Sequence, residues 1–349
     1  KNQQSDGWRF NQLLKSGANP LHPLCHFGTG STETLKTAPE KDGFPVRERL
    51  LEFHTKYYSA NLMCVTVLGK QSLDELEELV RSYFGPVVNK NAKVPEGPEV
   101  GGGEPVFTPE SLQRLVRIMP VKDLRSCAFQ FMLPQQSPMR WRTKPCRYLS
   151  FLLGHEGKGS VLSALKAQGL ATELSAGPMM DDAGICIFEV GIQLTEKGEE
   201  RLQWVGELVF AYIRLMQQLP VSEELFQETQ CIEEMNFRFR SVGNPVSVAS
   251  NLCHSMQDGL PVERVFSGPA KVWDLDKDQV AEVAAFLCCE RLRLAHATKH
   301  FDLEEHCPQT CHWYGTRYGA TPLPEEWRTA WTSRLAGSPD DAAASGAAL

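Results

Sequence analysis

The chain has 349 residues and a mass of 39.0 kDa, enough at roughly 150 residues per domain for about two domains with cores of their own. Hydrophobic residues at 42% and charged residues at 23% exclude wholesale disorder and fibrous architecture. Basic minus acidic residues is 36 − 43 = −7, with a pI of about 5.8, so the chain lacks the basic footprint that nucleic acid or anionic lipid selects.

Trp8-Arg9-Phe10 opens the chain, followed by a Gly-, Pro- and His-rich loop over 17–31. The spacing over 46–58 predicts a helix with Leu50, Phe53, His54 and Tyr57 on one face. Residues 63–68, Met-Cys-Val-Thr-Val-Leu before Gly69, read as a buried strand. Ser72 and Glu75 form a capping-box pair ahead of a helix lined by Leu73, Leu76, Val80 and Phe84. Pro95, Pro98, Gly101-Gly102-Gly103 and Pro105 mark a linker. Strands follow at 115–119 and 127–133, then helices at 145–153 and 160–168. The best strand signal spans 184–194. Two long helices come next, one carrying Leu202, Val205, Val209, Tyr212 and Met216, the other Leu225, Ile232, Met235 and Phe239. A helix over 275–289 and a strand over 291–297 close the ordered part, and the Ala/Ser/Asp-rich tail 337–349 reads as disordered.

The helix-then-strand pattern of 46–68 recurs at 276–297, with Asn61 and Arg291 corresponding at 291 − 61 = 230 residues. That spacing is too long for a solenoid and suggests two copies of one α+β domain. The expected divisions are 1–90, a linker 91–109, a second domain 110–300, a connection 301–336 and the tail 337–349. No apolar run reaches the ~18 residues of a membrane span. The first residues carry neither an initiator Met nor an apolar signal core, which suggests a piece of a longer protein. The eleven cysteines are odd in number and irregularly spaced. Cys64, Cys127, Cys186 and Cys231 lie in apolar stretches, where a thiol behaves as a small hydrophobe. A reduced, intracellular protein is the expectation.

Neither His-Glu-x-x-His nor His-x-x-Glu-His occurs, nor a Gly-x-Ser-x-Gly elbow or a complete phosphate loop. The run Gly154-His155-Glu156-Gly157-Lys158-Gly159-Ser160 has glycines that allow close backbone approach, and Glu156 suits an ammonium group. A tight turn with a solvated His-Glu pair is the plainer reading. His306, Cys307, Cys311 and His312 are ligand types that zinc prefers, although no second distant pair accompanies them. His22, Cys25 and His26 are a weaker set of the same kind. His54, on an apolar face, reads as a core histidine.

Several motifs in order then carry a resemblance. They are Asp6-Gly-Trp8-Arg9, Asn19-Pro-x-His-Pro23 with Phe27-Gly-Thr-Gly30, and Glu52-Phe-His-x-x-Tyr-Tyr-Ser-x-Asn-Leu-Met63. Gly154 to Ser160, Leu194-Thr-x-x-Gly198 and Trp313-Tyr-Gly-Thr-x-Tyr318 complete the set. Together they resemble the insulin-degrading enzyme and nardilysin branch of the pitrilysin-like, inverted-motif zinc metallopeptidases. The resemblance implies an α+β fold: homologous domains, each a mainly antiparallel sheet packed against helices, forming half of a clamshell around a chamber. It implies the end of the first domain, the whole second domain and the start of a connection to the other half.

By the same resemblance, the zinc ligands and general base fall upstream of Lys1, so no catalytic residue is assigned and the segment alone is expected to be inactive. The parent enzyme is expected to be a zinc metalloendopeptidase, with no zinc bound by this segment. The positions implied for an exosite holding a peptide's N-terminus are Gly154, Glu156, Leu174, Ala176 and Gly177. Ser175-Ala176-Gly177-Pro178 stands where relatives usually carry a glycine pair, and Pro178 removes one ladder donor, which puts strand addition there in question. Trp8 is implied near the scissile bond, with a plain core role as its alternative. The expected partners are peptide substrates and the remaining parts of the same enzyme, with no nucleic acid and no membrane. A homodimer stays open, and so does organelle import beside a cytoplasmic location. The alternative functions are a non-catalytic peptide-binding or scaffolding paralogue and, further off, a metal module at Cys307 and Cys311.

Overall fold

Strand β2 (Arg125–Leu133) sends Phe129 and Phe131 to one face of a sheet and Ala128 and Gln130 to the other, and this period-two alternation organises the larger part of the chain. The computed structural model describes residues 2–93, 104–134, 141–182 and 185–336. In chain order its helices are α1 (Asp6–Ser16), α2 (Ala38–Lys41), α3 (Val46–Tyr57), α4 (Leu73–Phe84), α5 (Pro145–Leu153) and α6 (Val161–Ala167). They continue with α7 (Glu196–Glu200), α8 (Leu202–Gln218), α9 (Glu223–Arg238), α10 (Pro245–Gln257), α11 (Lys277–Ala285) and α12 (Glu325–Ala336). The other strands are β1 (Arg114–Ile118), β3 (Ala171–Asp182), β4 (Ile185–Leu194), β5 (Leu292–Thr298), β6 (Gln309–Thr310) and β7 (Arg317–Pro322). The chain divides into two units. The first comprises Lys1–Phe27, Glu96–Thr229 and Asp274–Leu349, the second Gly28–Pro95 and Gln230–Trp273.

In the first unit the sheet order is β3-β4-β2-β5-β1-β7-β6. All pairs are antiparallel except β1 with β5. The fold is mixed α+β with a mainly antiparallel sheet, as expected. One face is closed by α5, α6, α8, α11 and α12. Phe210 of α8 lies 5.9 Å from Phe131 and 5.4 Å from Trp331 of α12, and Trp331 lies 5.7 Å from Phe129. The opposite face is crossed by α1. Its Leu13 packs with Val116, Ile118, Ala297 and Cys311, and Leu14 with Phe107, Met132 and Ile187.

Both ends of α1 are fixed by charge. The buried Asp6 carboxylate accepts the Val121 and Lys122 amides at 2.6 and 2.9 Å, where a helix N-terminus favours an anion. The buried Arg293 guanidinium donates to Gly17 O at 3.0 Å and lies over the Phe107 ring, giving the helix C-terminus its cation. A Cβ at Gly17 would stand 2.5 Å from Arg293 Nη2, so a larger residue there would push the guanidinium away from this approach.

In the second unit the capping box at Ser72 and Glu75 forms as expected, with the Ser72 hydroxyl and Glu75 carboxylate each reaching the other's amide. The Glu75 carboxyl titrates below the usual range because the Ser72 backbone and hydroxyl donate to it. The expected strand 63–68 does not form a ladder. Leu62, Cys64 and Thr66 are half-buried while Met63, Val65 and Val67 are exposed. The two-residue alternation of a strand is therefore present without a pairing partner, and an unpaired strand is not independently stable. Leu50, Phe53, Leu73 and Phe84 are exposed rather than buried. His54 is exposed too, with its ring 4.5 Å from that of Tyr58, which corrects its reading as a core histidine. Ile232 and Met235 of α9 and Phe239 just after it are likewise exposed, as is Cys231.

Residues 94–103 of the expected linker and the tail 337–349 lie outside the described residues, as do Arg140 and Gly184. The later part of that linker is packed. Asn19 Nδ2 donates to Pro105 O at 3.0 Å, and Phe107 is buried beside Leu14. The connection 301–336 also joins the first unit's core, because β7 pairs with β1 and Trp331 is fully buried.

Candidate functional site

The face of the sheet beside α1 carries an open groove of about 480 Å³. Its floor is made of small side chains, Ser126 and Ala128 on β2, Gly191 on β4 and Ala295 on β5. Gly7, Phe10 and Asn11 of α1 form one wall, and Glu173 and Ser175 of β3 the other. The floor is low where Ser126, Ala128, Gly191 and Ala295 fall on this face, while alternation sends Cys127, Phe129 and Leu294 to the other. Register sets Arg293 beside Gln130, and Gln130 beside Glu189, in one row across the sheet. Gln130 Nε2 donates to Glu189 Oε2 at 2.9 Å. Burial, with Arg114 alongside, pushes the Arg293 guanidinium down to about 10, still charged at neutral pH.

Strand β3 bounds the groove and is the terminal strand of the sheet. Among the described residues it pairs with β4 alone, so its other edge presents unpaired backbone groups. Its register shifts between Ala171 and Glu173 and again between Pro178 and Met180, and a proline together with bulges is how edge strands resist indiscriminate pairing. Helix α5 ends against this strand. A Cβ on Gly154 would meet Ser150 O at 2.8 Å and the Ala176 amide nitrogen at 3.7 Å, and one on Gly177 would meet Ser150 Oγ at 3.2 Å. Glycine at both positions thus lets the helix end lie on the strand.

Beyond Gly154 the chain turns through exposed His155, Glu156 and Lys158. His155 Nδ1 accepts from the Gly157 amide at 3.1 Å, Gly159 takes φ +87°, and Ser160 caps α6 by accepting from the Ser163 amide. The structure thus brings Gly154, Ala176 and Gly177 together, with Leu174 buried on the same strand and Glu156 two residues past the helix end. Trp8 is 48% exposed on α1 and is not among the groove's lining residues. Its alternative reading as a core aromatic does not hold. Sequence reading missed Glu173, Gln130 and Glu189 as groove residues. The signal was the alternation within β4, which places Glu189, Gly191 and Gln193 on one face.

The Cys/His cluster is dispersed. Cys307 is buried, with burial raising its thiol pKa. Cys311 is buried in the cluster beneath Leu13. His306 packs its ring 5.5 Å from that of Phe301, and His312 is exposed beside Trp313. His22 is buried with Nδ1 accepting from the Leu24 amide, and burial lowers its pKa. Among the described residues no group of three His, Cys, Asp or Glu side chains could hold a metal ion. Burial also lifts the Cys288 thiol to about 11 and the Cys289 thiol to about 12, which makes both poor nucleophiles.

Comparison with known proteins bears on this geometry. Residues 46–231 match the family model described as the peptidase M16 inactive domain. Residues 237–343 match the middle or third domain of peptidase M16. The A-factor-processing enzyme of Saccharomyces cerevisiae is 36% identical over 327 residues, which are 93% of this chain and 31% of that protein. The human insulin-degrading enzyme is 36% identical over 331 residues, 95% of this chain and 32% of that protein. The crystal structure of pitrilysin superposes with a TM-score of 0.86 at 25% identity, covering 96% of this chain and 34% of that one. The chain therefore spans about a third of the length of the curated relatives it matches.

Proposed function

The chain belongs to the peptidase M16 family of metalloproteases and carries its inactive-type domain, and from that premise we propose that it is the substrate-holding part of a zinc metalloendopeptidase. In this reading the parent degrades peptides within an enclosed chamber in the cytoplasm. This segment supplies chamber wall and exosite, and zinc is held by residues outside it. The observation that carries the reading is the free edge of β3, with the end of α5 and the Glu156 turn beside it. Adding a strand to a sheet edge recruits backbone groups, so it accepts peptides of many sequences. A carboxylate at the turn suits the free ammonium at the start of such a strand. Leu174, Ala176 and Gly177 are the strand positions assigned to it, and Trp8 is assigned to the neighbourhood of the scissile bond.

The exposed apolar residues of α3 and α4, among them Phe53, Leu73 and Tyr83, support a second part of the reading. They are the surface that the rest of the same enzyme covers, since large apolar side chains clustered on helices mark an interface. The test is made in the full-length parent. Glu156→Gln is expected to weaken binding of peptides with free N-termini roughly fivefold while leaving N-acetylated peptides unchanged. An equal loss for both classes removes Glu156 from the exosite.

A further inference from the structure

We propose that Cys64 and Cys253 form a peroxide-responsive disulfide that ties the extended segment 62–68 to α10 within the second unit. Cys253 lies on α10, and its Sγ is 3.2 Å from Thr66 Oγ1 and 3.7 Å from the Cys64 carbonyl oxygen. The backbone at Met63 is extended, with φ −109° and ψ 136°. Successive side chains there point to opposite sides, so Cys64 and Thr66 share a face. Their burial agrees: Leu62, Cys64 and Thr66 are half-buried and the residues between them exposed. The Cys253 sulfur, against the Thr66 hydroxyl, therefore sits on the side to which the Cys64 thiol projects. Both thiols are free and both are half-buried, open to a small oxidant yet held by their neighbours.

The chemistry follows from this geometry. The Cys253 thiol donates to the Thr66 hydroxyl, and because a hydroxyl is donor and acceptor alike, Thr66 keeps a hydrogen bond to the sulfur when the thiol loses its proton and becomes the reactive thiolate. That thiolate attacks hydrogen peroxide. The O–O bond breaks, Cys253 becomes the sulfenic acid, and hydroxide leaves and takes up the thiol's proton as water. The Cys64 thiolate then attacks the sulfenic sulfur, the S–O bond breaks, and a second water leaves with the Cys64 proton. Two thiols are oxidised by two electrons and one peroxide is reduced to two waters. The bond joins residues 189 apart in sequence.

The experiment treats the full chain with graded hydrogen peroxide, quenches it with N-ethylmaleimide and maps the unreduced digest. The Cys64 and Cys253 peptides are expected to appear joined, and to separate on dithiothreitol treatment. Thr66→Val is expected to slow the linkage several-fold without changing its product. In Cys64→Ser, a dimedone adduct is expected at Cys253 that the wild type does not accumulate. If both cysteines are still alkylated singly once exposed Cys231 has been oxidised, or Cys253 is found joined elsewhere, the proposal is overturned. The wild-type map decides even where a variant fails to fold.

Discussion

His296 of β5 is buried with its Nε2 without a hydrogen-bond partner, 3.9 Å from the Glu199 carboxylate. Glu199 is engaged by Arg125 at 2.9 Å and faces His300, while Arg117 lies beside His296 in the ladder. Burial is the largest influence on the imidazole and Arg117 adds to it, against the opposing pull of Glu199, so its pKa falls to about 4. The unfolded chain, with an ordinary histidine near 6.5, binds that proton first as pH drops. This contribution to stability is therefore complete above about pH 6.5 and is lost as pH falls toward 4, about 2 kcal/mol of it by pH 5. Denaturant unfolding at pH 7 and pH 5 should show that difference in the wild type and a flatter profile in His296→Leu; parallel profiles would contradict it. Sequence reading passed over this residue because a histidine in an apolar strand looks the same whether or not its second nitrogen finds a partner. It gave His54 a core role on equally good spacing, and the helix bearing it exposes that face.

At the scale of elements, α12 is the part whose role the sequence concealed. Its Trp331 is fully buried and donates its indole N–H to Gln203 O at 2.9 Å. A Cβ on Gly206 would lie 2.3 Å from the Trp331 ring. Gly206→Ala should therefore push α12 from α8 and cost about 1–3 kcal/mol, read as a lower Tm. Gly206→Ala with Trp331→Leu should cost less than the two changes summed, because the smaller side chain relieves the clash. Simple additivity would refute the contact. Trp327, Trp331 and Leu335 stand four residues apart and were a readable stripe, but the run before them looked like a connection. Helices α5, α6, α8 and α11 and strands β1, β2, β4 and β5 were legible, because each carries its periodicity over a full run. The 63–68 segment shows the converse. Its pattern is that of a strand, but pairing is a property of two segments and cannot be read from one. Gly154 was marked by its glycine-rich motif and Gly177 by the family resemblance alone, whereas the groove floor depends on register across three strands.

For the whole molecule, the proposed division of labour makes a direct prediction. Residues 1–349, purified and supplied with zinc, should show no peptidase activity above background, since a hydrolytic zinc centre needs three protein ligands with an open position for water. Turnover of a quenched fluorescent peptide that stops on adding a chelator would refute the assignment of the zinc site to other parts of the parent.

The parallel pairing of β1 with β5 joins Arg114 to Arg293, and the path of the chain around it has a consequence in time. Polypeptide passes between the two units four times, and the first unit is assembled from three separate stretches. The strand at the middle of the sheet is β5, flanked by β2 and β1, and it is made after the second unit's last residue, Trp273. During synthesis β1 and β2 thus emerge long before the strand that must separate them. Helix α1 waits equally long for Arg293. Long-range parallel pairing of this kind is slow to form and leaves strand edges uncovered meanwhile. Refolding should therefore proceed through a late closure, in which β5 enters between β2 and β1 and the N-terminal helix gains its cation in the same step.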